Sequence, residues 1–141
     1  MATDQALFPF PVQALDGCAV VVLPAEIDMN NAPAVSDTLL ALLNQGAAGV
    51  VADMTGTRFC AAAGIHAMID AHHHAQSRGA WVRIIISHRR VRRIFTLTGA
   101  DRLLPLYPDL DAALPQPASP LAGSTSGTAD FRRLSGGGSL P

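Results

Sequence analysis

Three short apolar runs, separated from one another by helical patterns, constrain the fold of this chain more than any other feature. They cover residues 18–23, 50–54 and 81–86, and they are rich in Val and Ile. Buried strands that alternate with amphipathic helices predict a sheet with parallel pairs, covered by those helices. Because aromatic residues make up only 5% of the 141 residues, the core between sheet and helices should be aliphatic.

The turn residues and the helical periodicity between these runs predict the α/β order β-β-α-β-α-β-α-β-α. Residues 8–15 and 18–23 flank the dipeptide Asp16-Gly17, which predicts an initial antiparallel hairpin. Helices are predicted from Pro33 to the residue before Gly46, over about 62–78, and over 88–97 with Ser87 as the N-cap. A strand at 104–107 and a helix at 109–114 complete a mixed, mostly parallel sheet of about five strands.

The predicted domain covers residues 8–114, since the character of the chain changes at Pro115. Residues 115–141 are dominated by Pro, Gly, Ser, Ala and Thr and have no apolar periodicity. Such a segment cannot bury enough surface to offset the entropy of ordering it, so we expect a disordered tail. Within it, Arg132-Arg133-Leu134-Ser135 resembles the target of a basophilic kinase.

Charge, cysteine content and hydropathy indicate a cytoplasmic protein. A net charge of −1 argues against a general binder of nucleic acid or acidic membranes. Cys18 and Cys60 form neither a metal-ligand spacing nor a disulfide framework, which fits a reducing compartment. The first residues lack the pattern of a secretory signal, and the apolar runs are far too short to cross a bilayer. The oligomeric state stays open.

Four motifs, in order and at consistent spacing, resemble the STAS domain family, the fold of bacterial anti-sigma factor antagonists. They are residues 25–28 (Ala-Glu-Ile-Asp), residues 51–54 followed by Phe59, the stretch from Ile65 through Arg78-Gly79 into 81–84, and residues 91–104. The last is close to the family's ending V-x-R-x-[LF]-x-x-[ST]-G-L-D-x-L. The resemblance implies the STAS fold and a regulator that binds an anti-sigma factor or a serine kinase of that type.

One segment departs completely from the antagonist pattern. Antagonists of this family carry Asp-Ser-Ser/Thr-Gly at the start of the second helix, and the first hydroxyl accepts phosphate. With Phe59 and Gly64 aligned, those positions are occupied by Ala61, Ala62 and Ala63. A methyl group cannot accept a phosphoryl group, so the resemblance implies a domain that cannot be switched at Ala62. A constitutive antagonist, a diverged paralogue and a deliberate substitution all fit this departure.

The resemblance places the docking surface at the loop after the second strand and at the start of the second helix. The predicted partner-binding residues are Glu26, Asp28, Asn30, Thr57, Cys60, Ala61, Ala62, Ala63 and Gly64. The alternative function is a STAS scaffold or ligand-binding module that takes a small anion, a nucleotide or a lipid at the same place. We predict neither a cofactor nor an enzyme, because the sequence has no P-loop, no Gly-x-Ser-x-Gly elbow and no HExxH motif.

One cysteine and one helix face carry potentially reactive side chains, and we predict that neither forms a reactive or metal site. Cys60 precedes a helix N-terminus, a setting that lowers a thiol pKa, but a buried hydrophobic cysteine is the preferred interpretation. His66, Asp70 and His74 share one helix face, yet about 12 Å separates the first from the last, so a single metal ion could bind only an adjacent pair. We therefore predict a solvated helix face and no metal site.

A basic cluster occupies the third predicted helix. It consists of Arg89, Arg90, Arg92 and Arg93, opposite the apolar Val91, Ile94 and Phe95. A solvated face is the simplest interpretation. An acidic partner surface and nucleic acid are the alternatives, and nucleic acid is weakly supported because the whole chain is nearly neutral.

Overall fold

The computed structural model describes residues 8–115. The segment 132–135 and all of the predicted tail except Pro115 lie outside the described residues, so both stay predictions.

A five-stranded sheet forms the centre of the domain, as predicted. Its strands are β1 (Val12–Leu15), β2 (Cys18–Val22), β4 (Gly49–Met54), β6 (Trp81–Ile86) and β7 (Leu106–Tyr107), in the spatial order β1-β2-β4-β6-β7. Only the β1–β2 hairpin is antiparallel, and each of the other neighbouring pairs is parallel. The carboxyl ends of β2, β4 and β6 therefore lie at one edge, from which the loops to the helices depart.

Two further strands, β3 (Glu26–Ile27) and β5 (Phe59–Cys60), pair in parallel as a small separate sheet. Sequence patterns did not predict them, because two residues are too few to show an alternation of apolar and polar side chains. Their pairing joins the loop that follows β2 to the segment that follows β4. The small sheet thus brings together two stretches that lie more than thirty residues apart in the chain.

The helices are α1 (Ala32–Asn44), α2 (Ala62–Ser77), α3 (Arg89–Leu97) and α4 (Leu110–Ala113), with a 3-10 turn at Ala100–Arg102. The prediction that Ser87 caps α3 is wrong. His88 is the N-cap, and its side chain makes no capping hydrogen bond. The extended backbone continues through His88, and the Ser87 hydroxyl donates instead to the Pro108 carbonyl at 3.5 Å.

The two faces of the sheet carry separate cores because alternate strand residues point to opposite sides. One face packs against α1, α2 and α3 and is aliphatic apart from Phe10 and Phe95, as the composition predicts. The other face, which includes Val20, Val51 and Ile85, packs against α4. On this face the Arg83 guanidinium lies 4.2 Å from the centre of the Trp81 ring and donates to the Ala113 carbonyl at 2.8 Å.

Candidate functional site

The small sheet holds the loop after β2 against the start of α2. The Ala61 amide donates to the Ile27 carbonyl at 2.8 Å, and the Arg58 amide donates to the Ala25 carbonyl at 2.7 Å. These bonds fix both segments through their backbones, whatever side chains they carry. The structure therefore brings the two parts of the predicted docking surface together.

The start of α2 lacks every side chain that normally stabilises a helix N-terminus. Ala61 is the N-cap, with φ −72° and ψ 165°, but has no side-chain oxygen to accept from the first turn, and that turn contains no acidic residue. Ala62 is exposed at the first helical position, and Ala61 and Ala63 are half-buried. The first amide groups of a helix have no intrahelical acceptor, so this end of α2 presents partial positive charge beside methyl groups.

Gly64 allows β3 and β5 to approach α2 closely. A Cβ atom at this position would lie 2.6 Å from Ile27 Cγ2 and 2.8 Å from Cys60 Sγ, both too short for real contacts. The Cys60 side chain is 1% exposed, and burial raises its pKa to about 12. A thiol with that pKa is protonated at neutral pH, so the interpretation of Cys60 as a buried hydrophobic residue is confirmed.

Three of the predicted partner-binding residues require correction. The side chains of Thr57 and Cys60 are buried, and Gly64 is buried and has no side chain. The Thr57 hydroxyl is used internally, since it donates to the Pro24 carbonyl at 2.8 Å. These residues support the surface from the interior, because they pack or hydrogen-bond where β3, β5 and α2 meet.

The loop that follows β3 is held by an exchange of hydrogen bonds between Asp28 and Asn31. One Asp28 carboxylate oxygen accepts from the Asn30 amide at 2.9 Å and from the Asn31 amide at 3.0 Å, and the Asn31 side-chain oxygen accepts from the Asp28 amide at 2.8 Å. Asp28 therefore shapes the loop. Glu26 and Asn30 are exposed at this loop.

Two exposed apolar side chains on this surface were missed in the sequence. Met29 is 78% exposed at the tip of the loop, and Phe59 is 46% exposed on β5. An apolar residue between Asp28 and Asn30 is a signal that could have found Met29, because a polar turn does not need it. No such signal marks Phe59, whose exposure depends on the pairing of β3 with β5.

Shallow grooves lie on both sides of the start of α2. The groove between α1 and α2 has a volume of about 340 Å³ and is lined by residues that include Met29, Pro33 and Ala63. The groove between α2 and the end of α3 is about 90 Å³ and is lined by residues that include Ala62, Thr98 and Leu103. Ala62 and Ala63 thus lie on a ridge between two shallow depressions, and each depression has room for side chains of a bound protein.

The histidine-rich face of α2 is connected to α1 by a side-chain hydrogen bond. His74 Nε2 lies 2.9 Å from the Asn44 side-chain oxygen. Within residues 8–115 no group of three His, Cys, Asp or Glu side chains is arranged to hold a metal ion. His72 is half-buried, and its pKa is lowered by burial and by the neighbouring His73.

The comparison with protein families identifies the fold. The model of the STAS domain matches residues 10–113, which is most of the chain. This chain belongs to the STAS domain family. The match includes every strand of the main sheet.

Two mycobacterial proteins are similar to this chain in sequence. A candidate anti-anti-sigma factor of Mycobacterium tuberculosis is 34% identical over 79 residues, which are 52% of this chain and 53% of that protein. The chain thus matches about half the length of this relative. The solved anti-sigma factor antagonist of Mycobacterium paratuberculosis is 29% identical with a TM-score of 0.67, over 74% of this chain and 88% of that one.

A more distant antagonist shares the fold alone. SpoIIAA of Bacillus, in its unphosphorylated form, is 14% identical with a TM-score of 0.63, over 73% of this chain and 91% of that one. The family match and the two mycobacterial relatives support an antagonist-like STAS domain. In the described region, no helix is both long and apolar enough to cross a membrane.

Proposed function

We propose that this STAS domain is an anti-sigma factor antagonist that binds an anti-sigma factor or its serine kinase around Ala62. We further propose that phosphorylation at that position does not control the binding. The observation that carries the proposal is the exposure of Ala62 at the first position of α2, together with that of the apolar Met29 on the loop after β3 and Phe59 on β5. Apolar side chains around a small ridge form the centre of many protein interfaces, where water is excluded on docking.

The chemistry of the position supports a domain that is always able to bind. A phosphoryl group would add a charge of about −1.5 to −2 at neutral pH, and a partner pressed against Ala62 would have to desolvate that charge. The alanine methyl group cannot carry it. Binding of a small anion, a nucleotide or a lipid at this surface stays a prediction, since no observation on the described residues favours it.

The test is direct binding of the purified full chain to the anti-sigma factors and anti-sigma kinases of its own organism. We expect the wild type to bind at least one of them with or without ATP, and Ala62→Asp to bind it at least about tenfold more weakly, because docking has to desolvate the added carboxylate. Ala112→Asp is the matched control: it adds the same charge to an exposed alanine on α4, which covers the other face of the sheet.

The same assay includes a variant with the usual phosphoacceptor pattern, Ala61→Asp with Ala62→Ser. With an active anti-sigma kinase and ATP, this variant should take up phosphate and lose binding, whereas the wild type should keep it. If neither the wild type nor the variant binds any of these proteins, the antagonist function is wrong. If Ala62→Asp binds as tightly as Ala112→Asp, the function can stand but the docking surface lies elsewhere.

A further inference from the structure

Helix α3 exposes four positive charges that the rest of the domain does not neutralise. Its arginines at positions 89, 90, 92 and 93 are all exposed. Among residues 8–115 none of the four is in an ion pair, and the polar contact they make is from Arg92 Nη2 to the Ile86 carbonyl at 3.2 Å. We call these four residues the arginine face of α3.

This arrangement opposes the stability of the helix that carries it. Arg89 and Arg90 occupy the first two positions of α3, where the helix dipole favours negative charge, and the first turn has no acidic residue. Arg89 is also three and four residues from Arg92 and Arg93, and like charges at these spacings repel. Because Arg89, Arg90 and Arg93 make no polar contact within the described residues, an intermolecular role is the better explanation for four charges in five residues.

The exposed side of α3 changes from basic to apolar along its length. At 100° per residue, Arg90, Arg93 and Leu97 fall within about 60° of one another, so they form one stripe. Leu97 is 72% exposed at the end of this stripe, and Leu103, just beyond the helix, is 52% exposed. A ligand lying along the stripe would meet two guanidinium groups first and an apolar surface one turn later.

Carboxylates on a regular scaffold fit this stripe best. Guanidinium groups bind carboxylates through two parallel hydrogen bonds, and Arg90 and Arg93 are one helical turn apart. An acidic helix presents carboxylates at the same spacing, with an apolar side chain one turn further on for Leu97. We propose that the arginine face of α3, together with Leu97, binds an acidic amphipathic helix of a partner protein. This inference does not depend on the anti-sigma function proposed above.

The surroundings of the arginine face disfavour nucleic acid as its ligand. The aromatic residue of α3, Phe95, is buried, so this helix offers no ring on which a base could stack. Leu97 also has no counterpart in a phosphate backbone. A protein segment that combines acidic and apolar side chains can contact both the exposed arginines and the exposed Leu97.

The test uses the full chain and a synthetic helical peptide with glutamates one turn apart and a leucine one turn further on. A second peptide of the same sequence carries glutamine in place of glutamate. By fluorescence anisotropy at low salt, we expect saturable binding of the glutamate peptide, at least about tenfold weaker binding of the glutamine peptide, and loss of affinity as salt rises.

Arg93→Glu should lower the affinity for the glutamate peptide by at least about tenfold. The double variant with Arg90→Glu and Arg93→Glu should not bind this peptide. Arg78→Glu is the matched control, because it makes the same charge change on an exposed arginine at the end of α2. Arg78 precedes β6 and α3 follows it, so the length of that strand, roughly 16 Å, separates the two sites. Arg90→Glu places a negative charge in the first turn of α3, which suits the helix dipole, and Arg93 is exposed. Circular dichroism should therefore show the α3 variants fully folded.

Several results would overturn the proposal. One is failure of the wild type to bind the glutamate peptide at low salt. A second is equal binding of the two peptides, and a third is an equal loss from Arg78→Glu and Arg93→Glu. The fourth is a DNA or RNA duplex that binds more tightly than the peptide at the same salt concentration and displaces it, which would assign the arginine face to nucleic acid.

Discussion

Replacing Ala61 with aspartate supplies the acceptor that the start of α2 lacks. The backbone of Ala61 is already extended, with ψ 165°, which is the conformation of an N-cap residue. Its carbonyl oxygen already accepts from the Gly64 and Ile65 amides, at 2.9 and 3.2 Å. The new carboxylate therefore needs no change of the main chain to accept from the amide of the second or third helical residue.

The expected gain follows from two separate contributions. Exchange of alanine for a capping side chain contributes typically about 1 kcal/mol. A negative charge at the N-terminus of a helix contributes a further 0.3 to 1 kcal/mol, roughly, at low salt. We therefore expect Ala61→Asp to raise the free energy of unfolding by about 1.5 kcal/mol, and Ala61→Asn, which caps without charge, by about 1 kcal/mol. At about 4 °C per kcal/mol for a domain of this size, the aspartate variant should melt about 6 °C higher.

Urea unfolding at neutral pH, followed by circular dichroism and by the fluorescence of Trp81, measures these differences. Ala62→Ser is the control, because Ala62 is exposed and one position inside the helix, so its effect should stay within about 0.5 kcal/mol. High salt should reduce the advantage of aspartate over asparagine. The reasoning is refuted if both Ala61 variants are no more stable than the wild type, or if Ala62→Ser gains as much as they do.

Three further measurements examine the packing and the ionisable groups of the domain. Gly64→Ala should lower the free energy of unfolding by about 1 to 3 kcal/mol, because its Cβ would lie 2.8 Å from Cys60 Sγ. Gly56→Ala is the control and should change the stability little, because there is open space around Gly56. Equal effects of the two variants would contradict the crowding at Gly64. Cys60 in the native protein should react with a thiol reagent only after urea is added, since its pKa is raised to about 12 by burial, and fast native labelling would count against this burial. The pKa of His72 is lowered by burial and by His73, so folding favours its neutral form, and stability should be full above pH 6.5, roughly, and fall as pH decreases below it. The urea midpoint of His72→Gln should decline less over the same range, and an unchanged decline would assign it to other groups.

The elements with a clear period were predictable from the sequence, and those that depend on distant partners were not. Strand β6 and helix α2 were predicted to within a residue, because a strand with five apolar residues out of six and a regular apolar stripe on a helix are local signals. Strands β3 and β5 exist only through their mutual pairing across the chain. The local sequence around each of these strands does not indicate that pairing.

The same distinction separates the parts of the candidate site. The absence of a hydroxyl at Ala62 can be read from one residue, and the structure adds only that this residue is exposed. The burial of Thr57 could not be read, because its hydroxyl is satisfied by Pro24, which is far away in the sequence. A threonine in a polar turn ordinarily faces solvent, and the long-range hydrogen bond reverses that expectation.

The two proposed surfaces meet at the end of α3, so their occupants should compete. Thr98 and Leu103 line the groove that also contains Ala62, and Leu97 directly precedes Thr98. A bound helix is about 10 Å across with its side chains, so a helix resting on Leu97 would cover part of that groove. The glutamate peptide should therefore displace an anti-sigma factor bound around Ala62, and Arg93→Glu should remove the peptide's ability to compete. If peptide and anti-sigma factor bind together without loss of affinity, the two surfaces serve separate partners. Competition that persists in Arg93→Glu would instead mean that the peptide binds around Ala62 itself.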